Sequence, residues 1–127
     1  MVRRYLYAAT IALALVVFTF SFLDMTYTLS YKIPWWDSFE HALGGVCIGF
    51  FGLVVAEIFK IRKHRVVWVL SFVLFAGLAW ELMEYVSGLT DSPFMSYRMD
   101  TFKDLVLDCV GGYLAVKIGH KMHIRYI

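Results

Sequence analysis

The chain has 127 residues, of which 61% are apolar, 18% aromatic and 17% charged, with a net charge of +2. An ordinary soluble domain sits near half apolar with about a quarter of its residues charged. That balance, with its charges clustered, points to an integral membrane protein, and the basic residues fit membrane topology and anionic lipid rather than nucleic acid.

The first element is the uncharged run "YLYAATIALALVVFTFSFL", residues 5–23. It is long enough for a bilayer, which takes about 20 apolar residues. Arg3 and Arg4 before it raise a signal peptide as the rival. The run is too long for such an apolar core, and no small-residue cleavage site follows, so an uncleaved first helix is expected. A second span begins after Pro34 and runs over 37–59. "KIRKHR", 60–65, turns the chain into a third span over 66–86. "SGLTDSPFMSYR", 87–98, has the Gly, Pro, Ser and Asp of a loop, and a fourth span covers 101–118. Cys47 and Cys109 lie inside apolar runs and read as small buried side chains. The expectation is an all-α, integral membrane four-helix bundle forming one domain over 1–127.

Lys and Arg set its orientation. With the N-terminus inside, nine basic residues (Arg3, Arg4, Lys60, Arg62, Lys63, Arg65, Lys117, Lys121 and Arg125) fall on one side. Lys32, Arg98 and Lys103 fall on the other. The positive-inside rule then places both termini in the cytoplasm, for a multi-pass protein of the plasma membrane. His64, His120 and His123 sit among the cytoplasmic cations and read as solvated. Trp35, Trp36, Trp80 and Tyr85 fit an aromatic belt at the outer interface.

The acids are lopsided. Glu57 lies beside the basic turn and is expected to pair with it; the other nine fall in the outer half or outer loops. Asp24 ends span one, and Asp91 reads as a solvated loop residue. Asp37 with Glu40 has the spacing of a capping box, as has Thr101 with Asp104, and Asp100 is the alternative cap of that helix. Capping cannot account for the rest. Glu81 and Glu84 lie near a helix C-terminus, where the dipole disfavours anions. Glu81 is about 10 Å deeper than Gly88, and Asp108 about 12 Å deeper than Asp100, at the helical rise. Ionisable groups at such depth are functional candidates that face the bundle interior.

Their spacing gathers them on helix faces: Asp37 and His41 at i,i+4, Glu81 and Glu84 at i,i+3, Asp104 and Asp108 at i,i+4. Small residues then permit close helix packing: Gly44, Gly45, Gly49 and Gly52 on span two, and Gly111, Gly112, Ala115 and Gly119 on span four. Spans two and four are expected to meet there, with His41 near Asp104 and Asp108. So many carboxylates must share protons, meet bases or bind a cation. Only Arg98 and Lys103 are near, which favours a cation. The candidate ligands of a divalent metal are Asp37, His41, Glu81, Glu84, Asp104 and Asp108. Hardness favours Mg²⁺, Mn²⁺ or Ca²⁺, with Zn²⁺ and Fe²⁺ as alternatives.

The segments "WDSFEHALGG", "WELMEYVSG" and "MDTFKDLVLDCVGG" resemble the three motifs of the YjdF-like family of bacterial membrane proteins. Asp37, His41, Glu81, Glu84, Asp100, Thr101, Asp104 and Gly111 match in order; Asp108 departs from a small apolar residue. A weaker resemblance to the VanZ-like family rests on Asp37, His41, Glu81, Asp104 and Gly111. There Glu84 stands for a Gln and Asp108 for an Asn. Neither resemblance implies a defined activity.

Three functions compete. A metal-dependent hydrolase would use His41 or Glu84 as general base, with Arg98 and Lys103 holding an anionic lipid or phosphate substrate. A non-catalytic protein would hold a metal or lipid headgroup at the same place. A cation or proton transporter would want inverted repeats or broken helices, which the sequence lacks. Serine chemistry is disfavoured because no G-x-S-x-G segment exists.

Overall fold

The computed structural model describes residues 2–89 and 92–124. Asp91, Arg125 and the side chains of Arg3 and His123 lie outside the described residues. The fold is all-helical, with no strand among the described residues. Four long helices, α1 (Val2–Tyr27), α3 (Trp36–Ile58), α4 (Arg65–Ser87) and α5 (Tyr97–Ile124), are joined by turns and by the one-turn helix α2 (Leu29–Lys32).

Three of the four are long and apolar enough to cross a bilayer: Arg4–Tyr27 of α1, then α3 and α4. The fourth, α5, has the length but carries Asp100, Lys103, Asp104, Asp108, Lys117 and Lys121 along it. The outer surface suits lipid. Phe18 is 71% exposed, Phe75 76% and Val86 76%, among many large apolar side chains left uncovered.

Local chemistry fixes the turns. Asp24 closes α1: its carboxylate accepts the Ser30 backbone N–H at 2.6 Å and the Ser30 hydroxyl at 2.9 Å. Glu57 of α3 accepts from Arg65 of α4 at 2.6 Å, so the expected pairing with the basic turn is made. Gly88, at φ 71°, ends α4 in the left-handed conformation; its N–H reaches the Tyr85 carbonyl, while Leu89 bonds back to Glu84.

Neighbouring glycines give the directions of the helices. A Cβ on Gly45 of α3 would run into the backbone of Asp108, one on Gly49 into Gly112 and Ala115, and one on α5 Gly119 into Leu53. Rising numbers on α3 meet rising numbers on α5, so these two run parallel. In α4, Gly77 faces Asp108 while Val73 faces Gly112, so α4 runs antiparallel to both. Two members of the expected glycine stripe do not belong to it. A Cβ on Gly44 would meet nothing within 4 Å, and Gly52 faces Phe72 of α4.

Lipid is as apolar as leucine, so helices in it are held by close packing and polar contacts rather than by a hydrophobic drive. The core matches this. Phe50, Leu53, Val69, Val73 and Ala115 fill the middle, and the glycine contacts bring α3 and α5 backbone to backbone. The first helix is peripheral, with only 6% of its most apolar stretch buried. It is pinned by Phe20, whose ring lies 5.3 Å from those of Trp36 and Phe39.

Candidate functional site

The parallel course of α3 and α5 brings their N-terminal ends together, and with them the acids of both. His41, one turn into α3, occupies the centre. Its Nε2 lies 3.7 Å from Asp37 Oδ1 and 3.6 Å from Asp104 Oδ2; its Nδ1 lies 3.2 Å from Asp108 Oδ1. The ring is sandwiched between carboxylates of its own helix and of α5.

The depth of Asp108 is made possible by glycine. Its Oδ2 would lie 2.5 Å from a Cβ on Gly77, so only a bare Cα on α4 leaves room for the carboxylate. A proton on Nδ1 makes His41 the donor to Asp108 and turns the Nε2 lone pair toward Asp37 and Asp104. A carboxylate behind an imidazole in this way fixes the ring and raises the basicity of its far nitrogen, as it does for many metal-binding histidines.

Lys103 is the second basic group. Its Nζ lies 2.9 Å from Asp37 Oδ2, 2.8 Å from Asp100 Oδ1 and 3.2 Å from Asp104 Oδ1. The last approach is close enough for an ion pair but lacks hydrogen-bond alignment, so the buried Asp104 Oδ1 has no hydrogen-bond donor. Among the described residues, Asp37, Asp100, Asp104 and Asp108 thus meet only the bases Lys103 and His41. With all four acids ionised and the imidazole protonated, two negative charges remain uncompensated.

The capping assignments change in consequence. Trp35 is the residue before α3 and makes no side-chain cap, so Asp37 lies inside the first turn and turns to Lys103 and His41. Glu40 does not complete a capping box: its Oε1 is buried without a hydrogen-bond partner. The helix α5 begins at Tyr97, ahead of Asp100, which pairs with Lys103, while Thr101 donates its hydroxyl to Glu81 Oε2 at 2.7 Å. A capping residue must precede its helix, and these helices begin earlier than the acids.

Of the expected ligands, Asp37, His41 and Asp104 each offer one atom within 4.8 Å of the others. Asp108 is on the opposite ring nitrogen. Glu81, 4% exposed, is bonded to Thr101 through one oxygen and leaves Oε1 without a partner. Glu84 accepts from Trp80 Nε1 at 2.9 Å, within its own helix. Arg98 is exposed, and Lys103 is turned into the acids.

The sequence reading gave Lys103 to a substrate and Thr101 to a cap, and left Gly77 without a role. The i,i+3 spacing of Asp100 and Lys103 signals one of its contacts. Gly77, four residues before Glu81, offers a weaker signal of room on the same face of α4.

No curated protein and no solved structure matches the chain. The VanZ-like resemblance has no support in these comparisons, whereas the YjdF-like one names the family that is found. Residues 2–125, nearly the whole chain, match the predicted membrane protein family DUF2238, and the chain belongs to that family.

Proposed function

We propose that this protein holds a divalent cation on Asp37, His41 and Asp104, inside a bundle of four membrane-spanning helices and near its outer face. The fourth span is α5. Its charges do not bar it from a bilayer, because Asp104 and Asp108 are turned inward and covered by α3 and α4. Charged groups are tolerated at such depth when they face the bundle interior and find partners there. The Lys and Arg distribution supports cytoplasmic termini in the plasma membrane, which turns the site outward.

The observation that carries this reading is Asp104. It is 2% exposed, yet Oδ1 has no hydrogen-bond donor. Lys103 stands 3.2 Å from that oxygen, while Oδ2 and Asp37 Oδ1 converge on His41 Nε2 from 3.6 and 3.7 Å, a buried set of acceptors that is costly unless a cation joins it. The edges of 3.6 and 3.7 Å around His41 Nε2 suit a cation about 2.2–2.6 Å from each atom, longer than the ~2.1 Å of octahedral Mg²⁺. A mixed nitrogen and carboxylate set then favours Mn²⁺ over Ca²⁺, which takes oxygen, and Zn²⁺ would need the ligands to close in to its shorter bonds. Side-chain exposure rises from Asp104 at 3% and His41 at 9% to Asp100 at 20% and Asp37 at 30%, so entry runs past Asp37.

Binding without chemistry is favoured over hydrolysis because Lys103 is engaged by three carboxylates rather than free for an anionic substrate. In a hydrolase, His41 or Glu84 would serve as base, Arg98 would hold the anion, and Lys103 would have to leave the acids.

Purified protein should bind one Mn²⁺ per chain, read by electron paramagnetic resonance. His41→Ala and Asp104→Asn should each abolish that signal while keeping helix content. Equal Mn²⁺ binding in wild type and both variants would overturn the site. Metal-dependent release of phosphate from anionic lipid by the wild type would establish hydrolysis instead. For orientation, Phe94→Cys should react with an impermeant thiol reagent on intact cells and Lys63→Cys should not; the opposite pattern turns the site inward.

A further inference from the structure

At the other end of the bundle a cavity of about 590 Å³ opens between the end of α3, the start of α4 and the last turns of α5. Lys60, Arg62, Arg65, Lys117 and His120 line it. The one acid in its lining is Glu57, which is bound to Arg65 at 2.6 Å. Among the described residues, Lys60, Arg62 and Lys117 make no ion pair with an acid. The Nζ of Lys117 lies instead 5.4 Å above the ring of Tyr113, another lining residue.

The walls differ from the cations. Leu53 and Val116 are buried apolar residues of the lining, and Val66 adds a third apolar side chain. The volume falls within the range of cavities that take a small organic ligand. A free inorganic anion would gain nothing from those walls. An amphiphile would use both, with its phosphate among the cations and the root of its acyl chains against Leu53, Val66 and Val116.

We propose that this cavity binds the phosphate group of an anionic phospholipid. Basic pockets between membrane helices recognise such headgroups, and each cation near the surface strengthens the attraction. A positive-inside bias accounts for the sign of these residues. It does not require them to converge on a cavity with apolar walls and its only acid already neutralised. The site is independent of the carboxylate cluster and stands whether or not that cluster holds a metal.

The experiment is native mass spectrometry of the full chain from nanodiscs containing equal phosphatidylglycerol and phosphatidylcholine. The wild type should retain phosphatidylglycerol about tenfold over phosphatidylcholine, and a tenfold rise in salt should remove that preference. The triple variant Lys60→Gln, Arg62→Gln, Lys117→Gln should lose it, with helix content and melting temperature checked in detergent; Arg65 is kept because it holds the turn. Lys32→Gln, far from the cavity, should retain it. Inorganic phosphate and glycerol phosphate are added as competitors. Displacement of the lipid by millimolar inorganic phosphate alone would assign the pocket to a free anion and overturn the lipid proposal. Equal preference in wild type and triple variant, or equal loss in Lys32→Gln, would also overturn it, leaving the cations a role in orientation only. Should the triple variant not fold, the salt titration and competition on the wild type decide.

Discussion

The two ends of the helical molecule carry opposite charge and treat it in opposite ways. At the carboxylate end, Asp104 and Asp108 are buried, and His41 and Lys103 are drawn in between the acids. At the basic end, Lys60, Arg62 and Lys117 are exposed around an open cavity, and only Arg65 is neutralised, by Glu57. Short aspartates cannot reach an interface from inside a helix pair, so they are stabilised where they stand. Long lysines and arginines can extend their stems to the headgroups and keep the charge hydrated. The difference in side-chain reach makes one end a compact cluster with fixed geometry and the other an adaptable mouth.

The largest effect should come from the backbone contact on which the carboxylate end depends. Gly45→Val puts a branched side chain where α3 meets the backbone of Asp108. Overpacking of that kind costs about 1–3 kcal/mol when side chains can yield, and here the neighbour is backbone. The variant should melt well below wild type in detergent and lose Mn²⁺. If it melts with wild type, α3 and α5 are not in contact there.

Asp108→Asn should act next. It keeps the shape over Gly77 but removes the carboxylate that orients His41. Mn²⁺ affinity should fall about 10–100-fold, the usual effect of losing such a partner. The metal-free protein should be as stable as wild type or more so, since one carboxylate has left a crowded cluster. An equal loss of stability with metal and with chelator would make Asp108 a packing group and Asp104 the only carboxylate that matters on α5.

Lys103→Met tests whether the ammonium competes with the metal. It occupies Asp37 and Asp104, two of the three residues that would hold the ion. Its removal should tighten Mn²⁺ binding about tenfold and lower metal-free stability, because the acids then lose a counter-charge. Lysine and metal would use different oxygens of the same two carboxylates, so unchanged affinity would show that the ammonium and the ion do not compete. At the basic end, Glu57→Gln breaks an ion pair whose members are about a third exposed. The melting temperature should barely move, since such pairs contribute about 1 kcal/mol or less.

The smallest effect is expected at Gly44→Ala. A Cβ there meets nothing within 4 Å, so the gain in helix propensity, up to about 1 kcal/mol, should show as slightly higher stability. A fall instead would mean that Gly44 touches a second molecule.

The sequence alone determined the four long helices in their order, though not the one-turn α2 nor the reach of α5 from Tyr97 to Ile124. A bilayer demands long apolar runs, and the helical rise turns sequence distance into depth. It also pointed to the meeting of α3 and α5, because glycine on both faces has few other uses in lipid. Local spacing could not say which way a carboxylate turns. Asp37 fits a cap by spacing but faces Lys103, 66 residues away. Glu81 is claimed by Thr101, Glu84 by Trp80, and Asp108 fits only because Gly77 of a third helix is bare. Those choices depend on the rotation of each helix about its axis, which packing settles and residue order does not. The cavity at the basic end is likewise a product of three helix ends. Its cations are visible in the sequence as a count, but their convergence exists only once α3, α4 and α5 are assembled.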